Sequence, residues 1–287
     1  MSTSVVIPAY NGWEYLKKNL PLVMSLGADE VIVVDDASTD GTPEHIKKNF
    51  PKIKLIVHET NQRFPAAVNN GFSKAGGEIV ILLNQDLTPD RDLLKAALPF
   101  FKNSEIFAVT FNEGKLAYAT AEFVDGFLEY GNGPQSDAPH QSFWASGGSA
   151  AFRRSDWENL GGFDTVFHPG YYEDLDLGWR ARRRGLEILW LPKAKVDHVR
   201  ETAYKKAFPE TYLNRIKERN YLICHWKNLS TSYLLQHLMA VFLRCLKSPG
   251  FLYPLFLAVL KLPEVMVFRS KERRLIKRTD KQIFTTL

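Results

Sequence analysis

Two acidic stretches carry the residue types and spacings best suited to chemistry in this chain: Asn84-Gln85-Asp86 and Glu173-Asp174-Leu175-Asp176. The first follows Ile79 to Leu83, five apolar residues that break abruptly into polar ones. Such a run reads as a strand buried on both faces. Polar groups at the carboxyl end of a buried parallel strand lie where open α/β sheets bind ligands. A carboxylate placed there, Asp86, can hold a divalent metal against a phosphate, although the tripeptide alone reads equally well as a solvated loop. The second stretch sets three carboxylates within four residues. Their repulsion must be offset by a helix N-terminus, a cation or a proton. A helix from about Leu175 to Arg184, stopped by Gly185, would use one acid as a cap. A further carboxylate shielded by the flanking aromatics can act as a general base. His198 follows in Lys195-Val196-Asp197-His198. It could complete a metal site, but on local grounds it reads as an ordinary hydrogen-bonding histidine.

The elements that must position these groups alternate. Strands are expected at Ser4 to Ile7, Val31 to Val34, Ile53 to Val57 and Ile79 to Leu83. Between them lie a helical pattern from Trp13 through Met24 interrupted by Pro21, a helix opened by Thr42-Pro43-Glu44, and a helix over Ala66 to Lys74. Thr88-Pro89-Asp90 predicts another helix start, which would leave Asp86 in a loop between strand and helix. This order argues for a parallel sheet with right-handed crossovers and helices on both faces. Asp35-Asp36 and Asp86 then lie on the same edge, which favours a metal site over a solvated loop. Ile106 to Phe111 and Leu186 to Leu191 are further strands. Asn112 to His140 reads as an irregular insertion with a lid or acceptor-facing role, Phe143 to Gly148 as a strand with close backbone approach, and Ser155 to Glu158 as a capping box.

The chain has 287 residues, 45% hydrophobic and 24% charged, the profile of a folded protein. Its two cysteines, Cys224 and Cys245, form no metal-type spacing and suit a reducing compartment, and no signal peptide is visible. The formal net charge of +5 comes from the tail beginning at Lys261; the rest balances. Neither a G-x-G-x-x-G after the first strand nor a G-x-x-x-x-G-K-[ST] occurs. A bound nucleotide would therefore rely on carboxylates and a metal in place of glycine loops.

Together, V-V-I-P-A-Y-N, V-V-D-D-A-S-T-D-G-T, A-x-x-N-x-G at Ala66 to Gly71, L-L-N-Q-D, G-G-F-D at Gly161 to Asp164 and Y-E-D-L-D-L-G-W-R resemble the family 2 glycosyltransferases over roughly Ser4 to Arg200. The resemblance implies a GT-A fold: an α/β, Rossmann-like, mostly parallel sheet flanked by helices. It implies that Asp36 reads the base of a nucleotide diphosphate-sugar, with Pro8, Tyr10, Asn84, Asp86 and Arg63 also on the donor side. Asp174 would deprotonate the acceptor hydroxyl with Glu173 beside it, and Trp144, Gly148 and Tyr172 would face the acceptor. Asp86 and His198 would hold Mg²⁺ or Mn²⁺. Two positions depart from the pattern. Asn84-Gln85-Asp86 stands where the family often has D-x-D, leaving one strong ligand. Arg63 stands where many members have glycine, and would contact the diphosphate or replace a turn residue.

The implied reaction is transfer of a hexose or rhamnose, with inversion, to a hydroxyl of a glycan or lipid-linked saccharide, as in cell-surface polysaccharide synthesis. A polyprenyl-phosphate sugar transferase and a non-catalytic nucleotide-sugar-binding membrane scaffold are the rivals. The expected organisation is a catalytic domain over 1–205, divided into a donor half (1–105) and an acceptor half (106–205), then a helical extension over 206–287. In that extension Ser248 to Leu260 is uncharged for 13 residues and contains Pro249 and Pro254, too short to span a bilayer of roughly 20 residues. Interfacial helices ahead of a basic tail fit an anionic membrane surface better, and suit a cytoplasmic protein held peripherally on the inner face of the cell membrane. Nucleic acid is not an expected partner, since the aromatics precede the basic cluster without interleaving.

Overall fold

A computed structural model describes residues 1–198 and 208–285. The boundary expected at 205/206 lies outside the described residues. The first strands are β1 (Thr3–Ala9), β2 (Glu30–Asp35), β3 (Lys54–Val57) and β4 (Ile79–Leu83), with α1 (Trp13–Ser25), α2 (Thr42–Asn49) and α3 (Phe64–Lys74) between them. β5 (Leu87–Pro89), α4 (Leu93–Ala97) and β6 (Ile106–Asn112) follow. Next come a hairpin of β7 (Ala119–Val124) and β8 (Phe127–Asn132), then β9 (His140–Gln141), β10 (Ser149–Arg153), α5 (Arg154–Leu160), α6 (Glu173–Arg183) and β11 (Glu187–His198). Among the described residues five helices follow: α7 (Glu210–Asn228), α8 (Thr231–Lys247), α9 (Leu252–Val259), α10 (Leu262–Glu272) and α11 (Asp280–Thr285).

The main sheet runs β3-β2-β1-β4-β10-β6-β11-β5, with β9 beside β11. The first four strands are mutually parallel, as are β6 and β11, while β10 runs antiparallel between β4 and β6. The alternating strand and helix order is thus realised as a mixed, mostly parallel sheet. One core packs Val5, Ile7 and Ile81 against α1 and α2 residues such as Leu16 and Ile46. Val6, Val80 and Leu82 point the other way, onto Val68 of α3, Leu160 of α5 and Leu177 of α6. This two-sided burial explains the continuous apolar strands. A third core joins the hairpin and α6 to the C-terminal helices through Phe143, Trp179, Leu222 and Ile223.

Several local expectations are corrected. Thr88 and Pro89 do not open a helix. They pair antiparallel with Asp197 and Val196 of β11, and the Thr88 hydroxyl donates to Asn19 Oδ1 (2.9 Å). Asp86 therefore lies between two strands. Thr42 is inside α2, whose cap is Gly41 with φ 79°, and Asp40 Oδ1 accepts from both the Thr42 amide and hydroxyl. No capping box forms at Ser155, because α5 already begins at Arg154 without a side-chain cap. α1 continues through Pro21 to Ser25. The stretch read as irregular contains β7 and β8, and Phe143 to Gly148 is non-regular backbone leading into β10. Breakers at Gly131, Gly133 and Pro134 obscured a hairpin whose inward residues, Ala121 and Leu128, are buried.

Candidate active site

Parallel strands deliver their carboxyl ends to one edge, and the reactive side chains collect there. β1 ends at Ala9-Tyr10, β2 at Asp35-Asp36, β4 at Asn84 to Asp86, and β6 at Asn112-Glu113. Antiparallel β10 begins at the same edge, so Ser146 to Ser149 enter it from the opposite direction. The β5–β11 pairing sets His198 opposite Leu87, next in sequence to Asp86. His198 Nε2 consequently lies 3.3 Å from Asp86 Oδ2, and its Nδ1 lies 2.9 Å from Glu113 Oε2. The hydroxyls of Ser146 and Ser149 donate to the other Glu113 oxygen. Burial alone would lower the His198 pKa; hydrogen bonds to Asp86 and Glu113 outweigh it and hold the imidazole at about 9.

A cavity of about 380 Å³ occupies this edge, lined by Pro8, Tyr10, Asp36, Arg63, Asn84 and Asp86, among others. Its floor is fixed by backbone contacts to side chains. Asp36 accepts from the amides of Gln62 and Arg63 (both 2.7 Å), and His58 Nδ1 lies 2.8 Å from it. Arg63 sits at φ 72°, so its unusual backbone aims its amide at Asp36, while its guanidinium lies 5.1 Å over the Phe208 ring. It thus replaces the turn residue and also lines the cavity. Gln85 works inward: its Oε1 accepts from the Tyr10 amide (2.9 Å) and its Nε2 donates to the Tyr10 carbonyl. Asn84 faces Gly148, where a Cβ would fall 2.1 Å from Asn84 Nδ2. A side chain at this position would displace the Asn84 amide from its place in the cavity wall.

Asp174 and Glu173 rise from the first turn of α6. Tyr171 and Tyr172 immediately before it have φ of 76° and 75°, a left-handed pair that non-glycine residues adopt at a strain cost. Asp174 Oδ1 accepts from the Leu175 amide (2.8 Å) and Oδ2 from the Gly147 amide (3.2 Å). Burial raises its pKa against these donors. Glu173 is buried more completely, and Oε2 has no hydrogen-bond partner among the described residues. Burial first, and the Asp174 charge second, push its carboxyl up to about 8. The environments therefore differ: backbone N–H groups favour Asp174 as the anion, while Glu173 keeps its proton at neutral pH.

A second cavity, about 430 Å³, lies beyond Asp174 and is lined by Phe111, Glu113, Leu116, Asn132 and Trp144. Asp174, Ser146 and His198 line both cavities. Trp144 is held by α6, since a Cβ at Gly178 would come within 2.5 Å of the Trp144 Cβ. Tyr172 lies elsewhere, its hydroxyl 2.8 Å from that of Tyr130 and its ring near Tyr221. Gly148 lines the first cavity, not the second.

The remaining acid of the second cluster is structural. Asp176 is fully buried and pairs with Arg180 Nε (2.8 Å) and Lys227 Nζ (2.9 Å), while Asn228 donates to its other oxygen. Lys227 also reaches Asp164 (2.6 Å), and Arg180 donates to the carbonyls of Leu160 and Gly162. The G-G-F-D segment, α6 and α7 are thereby one ion-paired unit. Lys227 escaped the sequence reading because its partners lie 51 and 63 residues away. Glu113 also escaped it, although the signal was present: an acidic residue next to Asn112, where the apolar run of β6 ends.

Asp86 and His198 present a carboxylate oxygen and, once Nε2 gives up its proton, an imidazole nitrogen to the first cavity, a donor set that suits Mg²⁺ or Mn²⁺ and whose affinity would rise with pH. No three His, Cys, Asp or Glu groups converge as a cage among the described residues. An ion here would draw its remaining ligands from diphosphate oxygens and water.

Comparison with known proteins agrees with this geometry. The family described as "Glycosyl transferase family 2" matches residues 4–160. A pre-mycofactocin glycosyltransferase of Mycobacterium tuberculosis is 30% identical over 217 residues, 71% of this chain and 45% of the relative. The chain thus spans less than half of that relative's length. An N-acetylglucosaminyl-diphospho-decaprenol L-rhamnosyltransferase of the same organism is 25% identical, covering 68% of this chain and 75% of its own. Among solved structures, GalNAc-T7 with UDP, GalNAc and Mn²⁺ superposes with TM-score 0.65 at 18% identity, over 81% of this chain and 49% of that one. The mannosyltransferase PcManGT of Pyrobaculum calidifontis, with GDP-Man and Mn²⁺, gives 0.55 at 19% identity over 95% and 84%. At these identities the structural likeness speaks for the GT-A fold alone.

Proposed function

The chain belongs to glycosyl transferase family 2, and from that premise we propose that it moves a hexose or rhamnose from a nucleotide diphosphate-sugar to a saccharide hydroxyl, with inversion, in surface-glycan synthesis. One observation carries this reading: Asp174 stands in the wall common to two cavities. A donor in the cavity beside Asp36, Arg63 and Asp86 would direct its anomeric carbon toward that wall. An acceptor in the cavity beside Trp144 would bring its hydroxyl to the same carboxylate from the other side.

Asp174 takes the acceptor proton as the new bond forms, the role its backbone-stabilised anion suits. The amides of Gln62 and Arg63 hold Asp36 in the orientation needed to read a base edge. Asp86 and His198 would hold Mg²⁺ or Mn²⁺, whose charge offsets that developing on the departing nucleotide diphosphate. Glu113 fixes the ring of His198 from the far side. Inversion follows from one base on the acceptor face.

The second cavity also bears on the acceptor. Among the described residues no Lys or Arg lines it; it offers an indole, an amide, apolar side chains and the carboxylates of Glu113 and Asp174, with His198 as its one basic group. The indole suits the face of an uncharged sugar ring, and the carboxylates of Glu113 and Asp174 suit its hydroxyls better than they suit a lipid phosphate, which favours a saccharide hydroxyl over a polyprenyl phosphate.

The test is calorimetric titration of UDP, GDP and dTDP, each with and without Mn²⁺. Metal-dependent binding of one nucleotide, abolished by Asp86→Ala, is expected. No binding of any of the three would overturn the reading. Transfer that survives in Asp174→Asn would remove Asp174 as the base.

A further inference from the structure

Fifteen of the large apolar side chains left in solvent belong to the C-terminal helices and the turn after them, from Leu235 to Leu275. On α8 the exposed residues Leu235, Leu238, Met239, Phe242 and Leu246 recur at helical spacing along one side. His237 and Val241 fill the other side, the former with Nδ1 2.8 Å from the Gly126 carbonyl. α8 is therefore apolar both toward the protein and away from it. α9 continues the pattern with Leu252, Tyr253 and Phe256, and α10 with Met266 and Val267. Arg244 near the end of α8 lies 4.1 Å over the Phe251 ring at the start of α9, and both α9 and α10 pack on α7. Leu246 is 67% and Met266 62% exposed, values at which a monomer leaves apolar side chains only singly, not in a band.

We infer that this band is a docking surface for an anionic lipid bilayer, on which the protein lies without crossing. Three observations select that occupant. First, no single described helix is long and apolar enough to cross a membrane, and the pair Pro249–Val259 and Leu262–Glu272 bends by 59°. Lys261 sits at the bend, so these helices suit the interface plane. Second, the same helices and the turn after them carry exposed Lys247, Lys271, Arg273 and Arg274 against exposed Glu264, while Glu272 is buried on Arg184. Anionic headgroups neutralise such charges. A second copy packed isologously would set them against themselves. Third, the band is tied to the catalytic edge through α7: Arg215 lies 4.7 Å over the Tyr253 ring and Lys217 4.6 Å over the Tyr171 ring, and Tyr171 lines the first cavity. If the glycosyl-transfer reading holds, an acceptor saccharide on a lipid anchor would enter the cleft from this side.

The experiment is flotation of the full chain with phosphatidylcholine vesicles and with vesicles containing phosphatidylglycerol, with light scattering of the lipid-free protein. Expected is flotation that requires the anionic lipid, weakens at high salt, and falls about tenfold or more in the double variant Phe242→Asp, Phe256→Asp. That variant should retain nucleotide binding, which certifies its fold and separates this test from the one on function. Failure to float with either vesicle overturns the inference, as does flotation indifferent to the double variant. A lipid-free dimer that the same variant dissociates, without flotation, assigns the band to a second copy instead.

Discussion

Replacing Glu173 by glutamine should make the protein more stable, by an amount that grows with pH. Glu173 is buried, and burial together with Asp174 raises its carboxyl to about 8, against 4.5 in the unfolded chain. Between those values the folded state holds a proton that the unfolded state has released. Stability therefore falls as pH rises through that window. The full displacement corresponds to on the order of 5 kcal/mol above pH 8. Glutamine keeps the shape of the neutral acid and cannot ionise, so the variant escapes the loss and also frees Asp174 from its neighbour's charge. At about 2 °C per kcal/mol for a chain of this size, the Tm difference between variant and wild type should be small at pH 5 and reach several degrees by pH 8.5. Thermal unfolding at half-unit pH intervals measures it. A constant difference across that range would refute the reasoning, since only a titrating Glu173 gives the difference its slope. Transfer at pH 7 should stay within about tenfold of wild type, because the wild-type side chain is already neutral there.

Other expectations follow from the same geometry. Asp174→Asn should lower transfer by about 10²–10⁴-fold with donor affinity unchanged, read as kcat against calorimetric binding. Glu113→Gln should weaken Mn²⁺ binding by about 10–100-fold, followed by electron paramagnetic resonance of the free ion with nucleotide present. A merely structural Glu113 would change stability and leave that titration alone. Lys227→Ala should destabilise the fold by about 3 kcal/mol, because buried Asp176 keeps only Arg180 and Asp164 loses its ion-pair partner, measured by urea unfolding. His237, whose pKa burial lowers to about 4, stays neutral when folded. Its contribution is present above pH 6.5 and is lost as pH falls toward 4; His237→Gln should flatten that part of the acid-unfolding curve.

What could be read from the sequence depended on how far each signal reached along the chain. Ile79 to Leu83 declared a buried strand because its composition is local, and Asp86 declared itself by following directly. The position of His198 was not local. It rests on the short strand at Leu87–Pro89, whose threonine and proline imitate a helix start until β11 pairs with them. The misreading of Thr88 hid the device that brings His198 to Asp86, and only the family resemblance kept His198 in view. Arg63 shows the converse. Its departure from glycine was visible, but its effect, an amide aimed at Asp36 from a left-handed backbone, needed coordinates.

The acidic cluster at Glu173 to Asp176 divides its labour along the helix axis, which spacing alone could not reveal. Glu173 and Asp174 face the cleft from the first turn. Asp176 points into the body of the protein, where Lys227 and Asn228 of α7 meet it. The C-terminal helices therefore do more than follow the sheet: Lys227 joins Arg180 as counter-charge to the buried Asp176 and so fixes α6, from whose first turn Asp174 projects. The helices α8 to α10, whose outer surface we propose for a bilayer, pack on α7, and α7 in turn reaches α6 through Lys227 and Asp176 and the segment before it through Lys217 and Tyr171.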